Sequence, residues 1–224
     1  MPLLIGEVLS PEMLASAQER LKLLVWEDGT RTAGSVARMV KQNKQADLTT
    51  RAGARLKEIL TEVVTSHAVV RSFARPKKWS RLLVSRTEAG GGYGLHIDNA
   101  LMGKGDAEVR TDLSFTLFLS DPETYEGGEL QIEQSGQTHS VKAAAGDMVI
   151  YPSDTLHQVT PVTSGTRYVC VGWIQSRIRG EDQRTILYDL DNLKAELGRT
   201  HDVNSPEMLT LSKTSANLLR MWAE

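Results

Sequence analysis

From Arg81 to Trp173 the chain breaks into eight short β-rich runs, RLLVSRT, GLHID, DLSFTLFLS, GELQIE, HSVK, DMVIYP, HQVTPV and RYVCVGWI. No helical stretch separates one run from the next, so the pattern predicts a jelly roll or barrel and excludes a parallel sheet built on crossover helices. Turn-forming pairs mark the breaks: Asp121-Pro122, Gly127-Gly128, Ser135-Gly136, Gly146-Asp147 and Ser164-Gly165.

Helical periodicity flanks this region on both sides. Ser10-Pro11-Glu12 is a helix start, and Leu14, Ala17, Leu21, Leu24 and Val25 predict a helix reaching about Trp26. After a polar stretch from Asp28 to Asp47, the spacing of Leu56, Ile59, Leu60, Val63 and Val64 predicts a second amphipathic helix from roughly Thr50 to Val70. Beyond Trp173, Ile186, Leu190, Leu193 and Leu197 are stopped by Gly198, and Ser205-Pro206-Glu207 opens a last helix carrying Leu209, Leu218, Leu219 and Trp222. The expected fold is mainly β, a jelly-roll core covered by N- and C-terminal helices. It divides into a helical support region (1–77), the β core (78–177) and a helical extension (178–224).

Composition narrows the chemistry. The 26 basic and 28 acidic residues are interspersed, so no sustained basic face offers itself to nucleic acid or anionic lipid. Cys170 is the single cysteine, which rules out an intramolecular disulfide framework and leaves too few thiolates for a structural zinc or iron–sulfur site. Any metal must therefore use His and carboxylates. The first residues lack a basic segment ahead of their apolar ones, and no apolar run approaches the roughly 18 residues of a membrane span. A soluble, cytoplasmic protein is expected.

Within GLHID, His96 and Asp98 stand two residues apart, and on a strand such residues point to one face. On its own a His-x-Asp pair arises easily by chance. His157 begins a late run that a jelly roll can bring beside the first, and two His with one carboxylate leave open positions on a metal, an arrangement suited to non-haem Fe(II). A structural metal site would close its shell with a fourth ligand, for which no candidate lies near. Arg167 shares a strand face with Val169, Val171 and Trp173. A guanidinium on an apolar face is costly unless an anion meets it, and its planar fork suits a carboxylate.

In their order and spacing, the Gly-rich approach GGGYGLHID, the strand ending LFLSD, the Gly-Gly-Glu-Leu turn, Gly-Asp before MVIYP, then His157 and Arg167, resemble the prolyl 4-hydroxylase class of Fe(II)/2-oxoglutarate dioxygenases. RTDLSFTLFLSDPETYEGGELQI, the tail WIQSRIR and the C-terminal helices resemble bacterial PKHD-type hydroxylases in particular, over nearly the whole chain. The resemblance implies a double-stranded β-helix in which His96, Asp98 and His157 bind iron and Arg167 binds the distal carboxylate of 2-oxoglutarate. It further implies O2 as cosubstrate, L-ascorbate as reductant after uncoupled turnover, and an organic or protein substrate that no residue identifies. Many members place a Tyr where this chain has Thr87, so Thr87 or a bridging water stands in for a phenol contact to the cosubstrate.

Two other readings stay open on the residues alone: a cupin-like Zn or Mn isomerase or hydrolase, and a non-catalytic metal or 2-oxoglutarate sensor. Ser114 and Thr116 lie on the polar face of DLSFTLFLS and can border a pocket, as can Tyr93 and Asn99. His67, His139 and His201 read as structural or exposed, Trp79 and Trp222 as closing the core, and Cys170 as buried and inert. The apolar helices also allow a homo-oligomer.

Overall fold

A computed structural model describes residues 2–32 and 37–224 of the chain. It opens with β1 (Leu3–Ile5), α1 (Pro11–Leu21), β2 (Trp26–Asp28), β3 (Lys41–Gln42), β4 (Lys44–Ala46), α2 (Arg51–Ser66) and α3 (Ala68–Ala74). The β region follows with β5 (Pro76–Trp79), β6 (Leu83–Glu88), β7 (Gly92–His96), β8 (Leu101–Met102), β9 (Val109–Arg110) and β10 (Leu113–Phe118). It continues through β11 (Tyr125–Gly127), β12 (Leu130–Gln134), β13 (Gln137–Val141), β14 (Met148–Pro152), β15 (His157–Val159) and β16 (Val162–Ser176). Helices α4 (Glu181–Leu197) and α5 (Pro206–Trp222) come last.

The larger sheet runs β1-β14-β10-β16-β6-β4-β2, with β5 and β11 also on β16; the smaller runs β13-β12-β15-β7-β3. Neighbouring strands in both are antiparallel, as a jelly roll requires.

Two apolar layers follow from strand alternation. On the outer face of the larger sheet, Leu113, Phe115 and Leu117 of β10, Val84, Met148, Ile150 and Cys170 pack against α1, α2 and α3 through Ala17, Leu21, Leu56, Leu60, Val64 and Val70. Between the sheets, Phe118, Val149, Tyr151 and Val169 meet Leu130 and Ile132. Strand β10 is buried on both faces, so both of its side-chain rows are spoken for. The C-terminal helices extend the helical cover outward from α3. They contribute no residue to the helix–sheet core; α4 lies on α3, tied by Arg75 to Asp191 at 2.6 Å and by Phe73 edge-on to Tyr188, and α5 lies on α4.

Helix starts follow their caps. Ser10, Thr50 and Ser205 side chains accept from the backbone N–H of Met13, Gly53 and Met208, each relieving an orphan donor of the first turn. Helix ends do not follow periodicity as closely. Helix α1 stops at Leu21 instead of Trp26, because Trp26 pairs with Ala46 in an edge strand and its ring packs on Tyr168. The second helix breaks at His67, whose backbone is extended, so His67 joins two helices instead of lying inside one. The polar stretch from Asp28 to Asp47 supplies β3 and β4, which join the sheets by backbone pairing and need no apolar alternation. Ser164-Gly165 is not a break either: β16 runs through it, and a Cβ on Gly165 would stand 2.1 Å from the carbonyl of Thr124, just ahead of the paired strand β11.

Candidate metal and cosubstrate site

Strands β7 and β15 pair with His96 directly opposite His157. The two rings are buried, 6% and 4% exposed, with centroids 4.3 Å apart. Nδ1 of His96 lies 2.7 Å from the Gly94 carbonyl and Nδ1 of His157 3.0 Å from the Thr155 carbonyl. A carbonyl only accepts, so each Nδ1 carries a proton, and in the neutral imidazole the lone pair is then on Nε2. Burial, reinforced by the facing His157, pushes His96 down to about 4, leaving the imidazole neutral near pH 7 as ligation demands.

Asp98 arrives by a different route from the one strand alternation predicts. Strand β7 ends at His96, and the carboxylate is carried by the loop that follows. Ser114 of β10 donates to Asp98 Oδ2 at 2.6 Å, and that oxygen is 3.7 Å from His157 Nε2. His96, Asp98 and His157 can each offer a ligand atom within 4.8 Å of one another, the one such His/Cys/Asp/Glu group among the described residues. Two imidazoles and one carboxylate are the donor set of a non-haem Fe(II) centre with open positions. Tyr93 stacks on His96 at 3.7 Å, and Tyr151 stands edge-on to His157 at 5.2 Å, so aromatic rings hold both imidazoles in place.

Arg167 lies in β16 opposite Thr87 of β6. Its guanidinium sits 5.6 Å over the Phe118 ring, and the side chain is 3% exposed with no hydrogen-bond partner at Nε. Burial lowers its pKa, with Tyr125 opposing most, yet an arginine stays charged at any physiological pH. An enclosed cation without an ion pair is costly, so the position calls for an anionic ligand. Space for the arginine stem depends on glycine. Gly128 has φ +69°, and a Cβ there would come within 3.0 Å of Arg167 Cδ.

Arg167, Thr87 and the His/Asp/His group line one cavity, with Leu130, Val159, Val169 and Trp173 among its walls. Ser114, Thr116, Tyr93 and Asn99, weighed from the sequence as pocket residues, line it too. Sequence reasoning missed Tyr151, Ser153 and Lys41. Tyr151 is hidden in the run MVIYP, and Ser153 reads as an ordinary turn residue. Lys41 sits in the polar stretch, where nothing marks it; in the fold its ammonium is 5.1 Å over the Tyr93 ring, and burial lowers its pKa to about 8. His67, His139 and His201 lie outside this group. Cys170 is fully buried in the helix–sheet core, and Trp79 packs against that core edge-on to Phe115.

Comparison with known proteins bears on the chemistry. Residues 82–175 match the 2OG-Fe(II) oxygenase superfamily, and residues 181–224 match the PKHD-type hydroxylase C-terminal domain. A PKHD-type hydroxylase of Hyphomonas neptunium is 56% identical over 222 residues, 99% of each chain. The chain belongs to the PKHD-type hydroxylases. Another member, from Synechococcus elongatus, is 45% identical over 98% of each chain. At the level of fold, a Trichoplax adhaerens prolyl hydroxylase solved with a hypoxia-inducible-factor peptide fragment superposes with a TM-score of 0.60. That match is 15% identical and covers 83% of this chain and 86% of that one. A Pseudomonas putida prolyl-4-hydroxylase superposes with a TM-score of 0.54 at 17% identity, over 79% of this chain and 92% of that one.

This PKHD-type hydroxylase is thus a dioxygenase dependent on Fe(II) and 2-oxoglutarate, with O2 as the other cosubstrate. Family membership removes the Zn or Mn isomerase and the non-catalytic sensor from consideration. Among the described residues no helix is long and apolar enough to cross a membrane.

Proposed function

We propose that His96, Asp98 and His157 hold the ferrous ion and that Arg167, with Thr87 beside it, receives the distal carboxylate of 2-oxoglutarate. The observation that carries this reading is the tautomer lock: both Nδ1 atoms are committed to carbonyls, so two Nε2 lone pairs and one carboxylate are left to converge on one point. Arg167 supports the second half, since its buried Nε lacks a protein partner and a carboxylate supplies one.

Bound together, iron and 2-oxoglutarate supply an oxidative decarboxylation that releases succinate and CO2 and delivers one oxygen atom of O2 to a substrate C–H bond. The chain's own residues orient and enclose. His96, Asp98 and His157 would hold the iron, Arg167 would neutralise the distal carboxylate of the cosubstrate, and Leu130, Val159 and Val169 wall the cavity that would keep water from it. L-ascorbate serves to re-reduce iron after uncoupled turnover. The division into 1–77, 78–177 and 178–224 belongs to the same reading, supported by family matches that fall within the second and third segments.

The substrate is an organic molecule or a protein residue in the cytoplasm, with neither nucleic acid nor membrane as partner, and the apolar helix faces permit a homo-oligomer. Related folds carry prolyl hydroxylases and also a Streptomyces hygroscopicus protein crystallised with hygromycin B, so protein and small-molecule substrates both suit the architecture. The test is anaerobic addition of Fe(II) and 2-oxoglutarate, which should give the weak visible charge-transfer band of the chelate. Succinate should form on admitting O2, and mass spectrometry of treated cell extract should find a product heavier by one oxygen. Absence of the band in properly folded protein would overturn the assignment.

A further inference from the structure

Asp98 lies past the end of β7, so no strand ladder fixes its carboxylate. The large sheet does so instead. Ser114 Oγ lies 2.6 Å from Asp98 Oδ2 and 2.7 Å from Ser153 Oγ, and both serines are only 2% exposed. A hydroxyl has one proton and a carboxylate only accepts, so Ser114 donates to Asp98 and must accept from Ser153. The direction of the relay is therefore set.

Both ends of the relay lead to the site. Ser153 opens the turn 153–156, whose Thr155 carbonyl holds His157 Nδ1, and the Ser153 N–H bonds to the Asp112 carbonyl just ahead of β10. We propose that Ser114 is a positioning residue that sets Asp98 relative to His157. One small side chain on β10 ties the loop leaving β7 to the turn entering β15. Without it, the aspartate side chain regains rotameric freedom while the two imidazoles stay locked to their own carbonyls. The proposal rests on the assignment of His96, Asp98 and His157 as the metal ligands.

The test uses Co(II) alone, titrated anaerobically into the metal-free full-length protein, with affinity and visible d–d spectrum as readouts and circular dichroism as the check on folding. Ser114→Ala should weaken Co(II) binding by about 10- to 100-fold and shift the visible bands, as loss of an outer hydrogen bond to a ligand does. Ser153→Ala leaves the Asp98 partner in place and should shift affinity and bands in the same direction but less. It carries the test if Ser114→Ala does not fold. Wild-type affinity and spectrum in the folded serine variants, beside lost binding in His157→Ala, would overturn the relay alone. Wild-type Co(II) binding in His157→Ala would overturn the ligand assignment and the relay with it.

Discussion

His96 and His157 stand opposite one another across β7 and β15, and each Nδ1 is bound to the carbonyl two residues earlier in its own chain, Gly94 and Thr155. The same local device thus fixes both tautomers. Because the constraint is backbone, mutation of neighbouring side chains leaves it intact, and the Nε2 atoms remain presented even without metal.

Replacing any one of His96, Asp98 or His157 by Ala should therefore lower iron-dependent succinate formation by about a hundredfold or more, since each removes a ligand from an open three-ligand site. His67→Ala, His139→Ala and His201→Ala should turn over like the parent protein. A single-turnover succinate assay on the six purified variants decides the matter, and full activity in any of the first three excludes that residue from the site.

Arg167→Ala should weaken 2-oxoglutarate binding to the metal-loaded protein by about 2 to 5 kcal/mol, which is on the order of 30-fold or more. Arg167→Lys should recover only part, because an ammonium cannot reproduce the planar fork. Anaerobic titration of the charge-transfer band measures both. Unchanged affinity in Arg167→Ala would move the search to another cation in the cavity, with Lys41 the first to test.

Thr87 faces Arg167 across β6 and β16, is 3% exposed and lines the cavity, and on the proposed reading its hydroxyl would meet the same carboxylate. Thr87→Val keeps the shape and removes the donor. It should weaken 2-oxoglutarate by about 1.5 to 3 kcal/mol, a hydrogen bond to a charged group. Thr87→Tyr must fit a phenol ring where a threonine only 3% exposed now stands. The ring must displace neighbours, and overpacking of about 1 to 3 kcal/mol offsets the gain. Equal affinities for the parent protein and Thr87→Val would show the hydroxyl idle.

Cys170 offers a pH signature independent of the metal. Burial pushes its thiol up to about 12 from an ordinary value near 9. Between these two values the unfolded chain loses the thiol proton while the folded chain keeps it, so stability is fully present below pH 9 and declines as pH rises towards 12. The loss is about 1.4 kcal/mol per pH unit within that window. Urea denaturation from pH 8 to 10.5 should show a steeper decline for the parent protein than for Cys170→Ala, and a thiol reagent at pH 8 should label only denatured protein. Parallel curves would refute the buried-thiol account.

What the sequence determined by itself was whatever depends on neighbours a few residues apart. Alternation placed the core strands; capping hydroxyls at Ser10 and Ser205 placed helix starts; and His96, Asp98, His157 and Arg167 stood out by residue type and order. Each of these signals is local, so it survives in one dimension. Only the tertiary structure decided how those residues meet. Asp98 reaches the imidazoles from a loop instead of from the strand, held by Ser114 from the opposite sheet sixteen residues on. Thr87 faces Arg167 across eighty residues of chain, through strand register. Lys41 and the polar segment around it enter the sheets by backbone pairing, which leaves no side-chain pattern to read. Register, sheet stacking and edge pairing are set by which distant backbone groups and apolar faces find one another, and that information is not carried by any short stretch of residues.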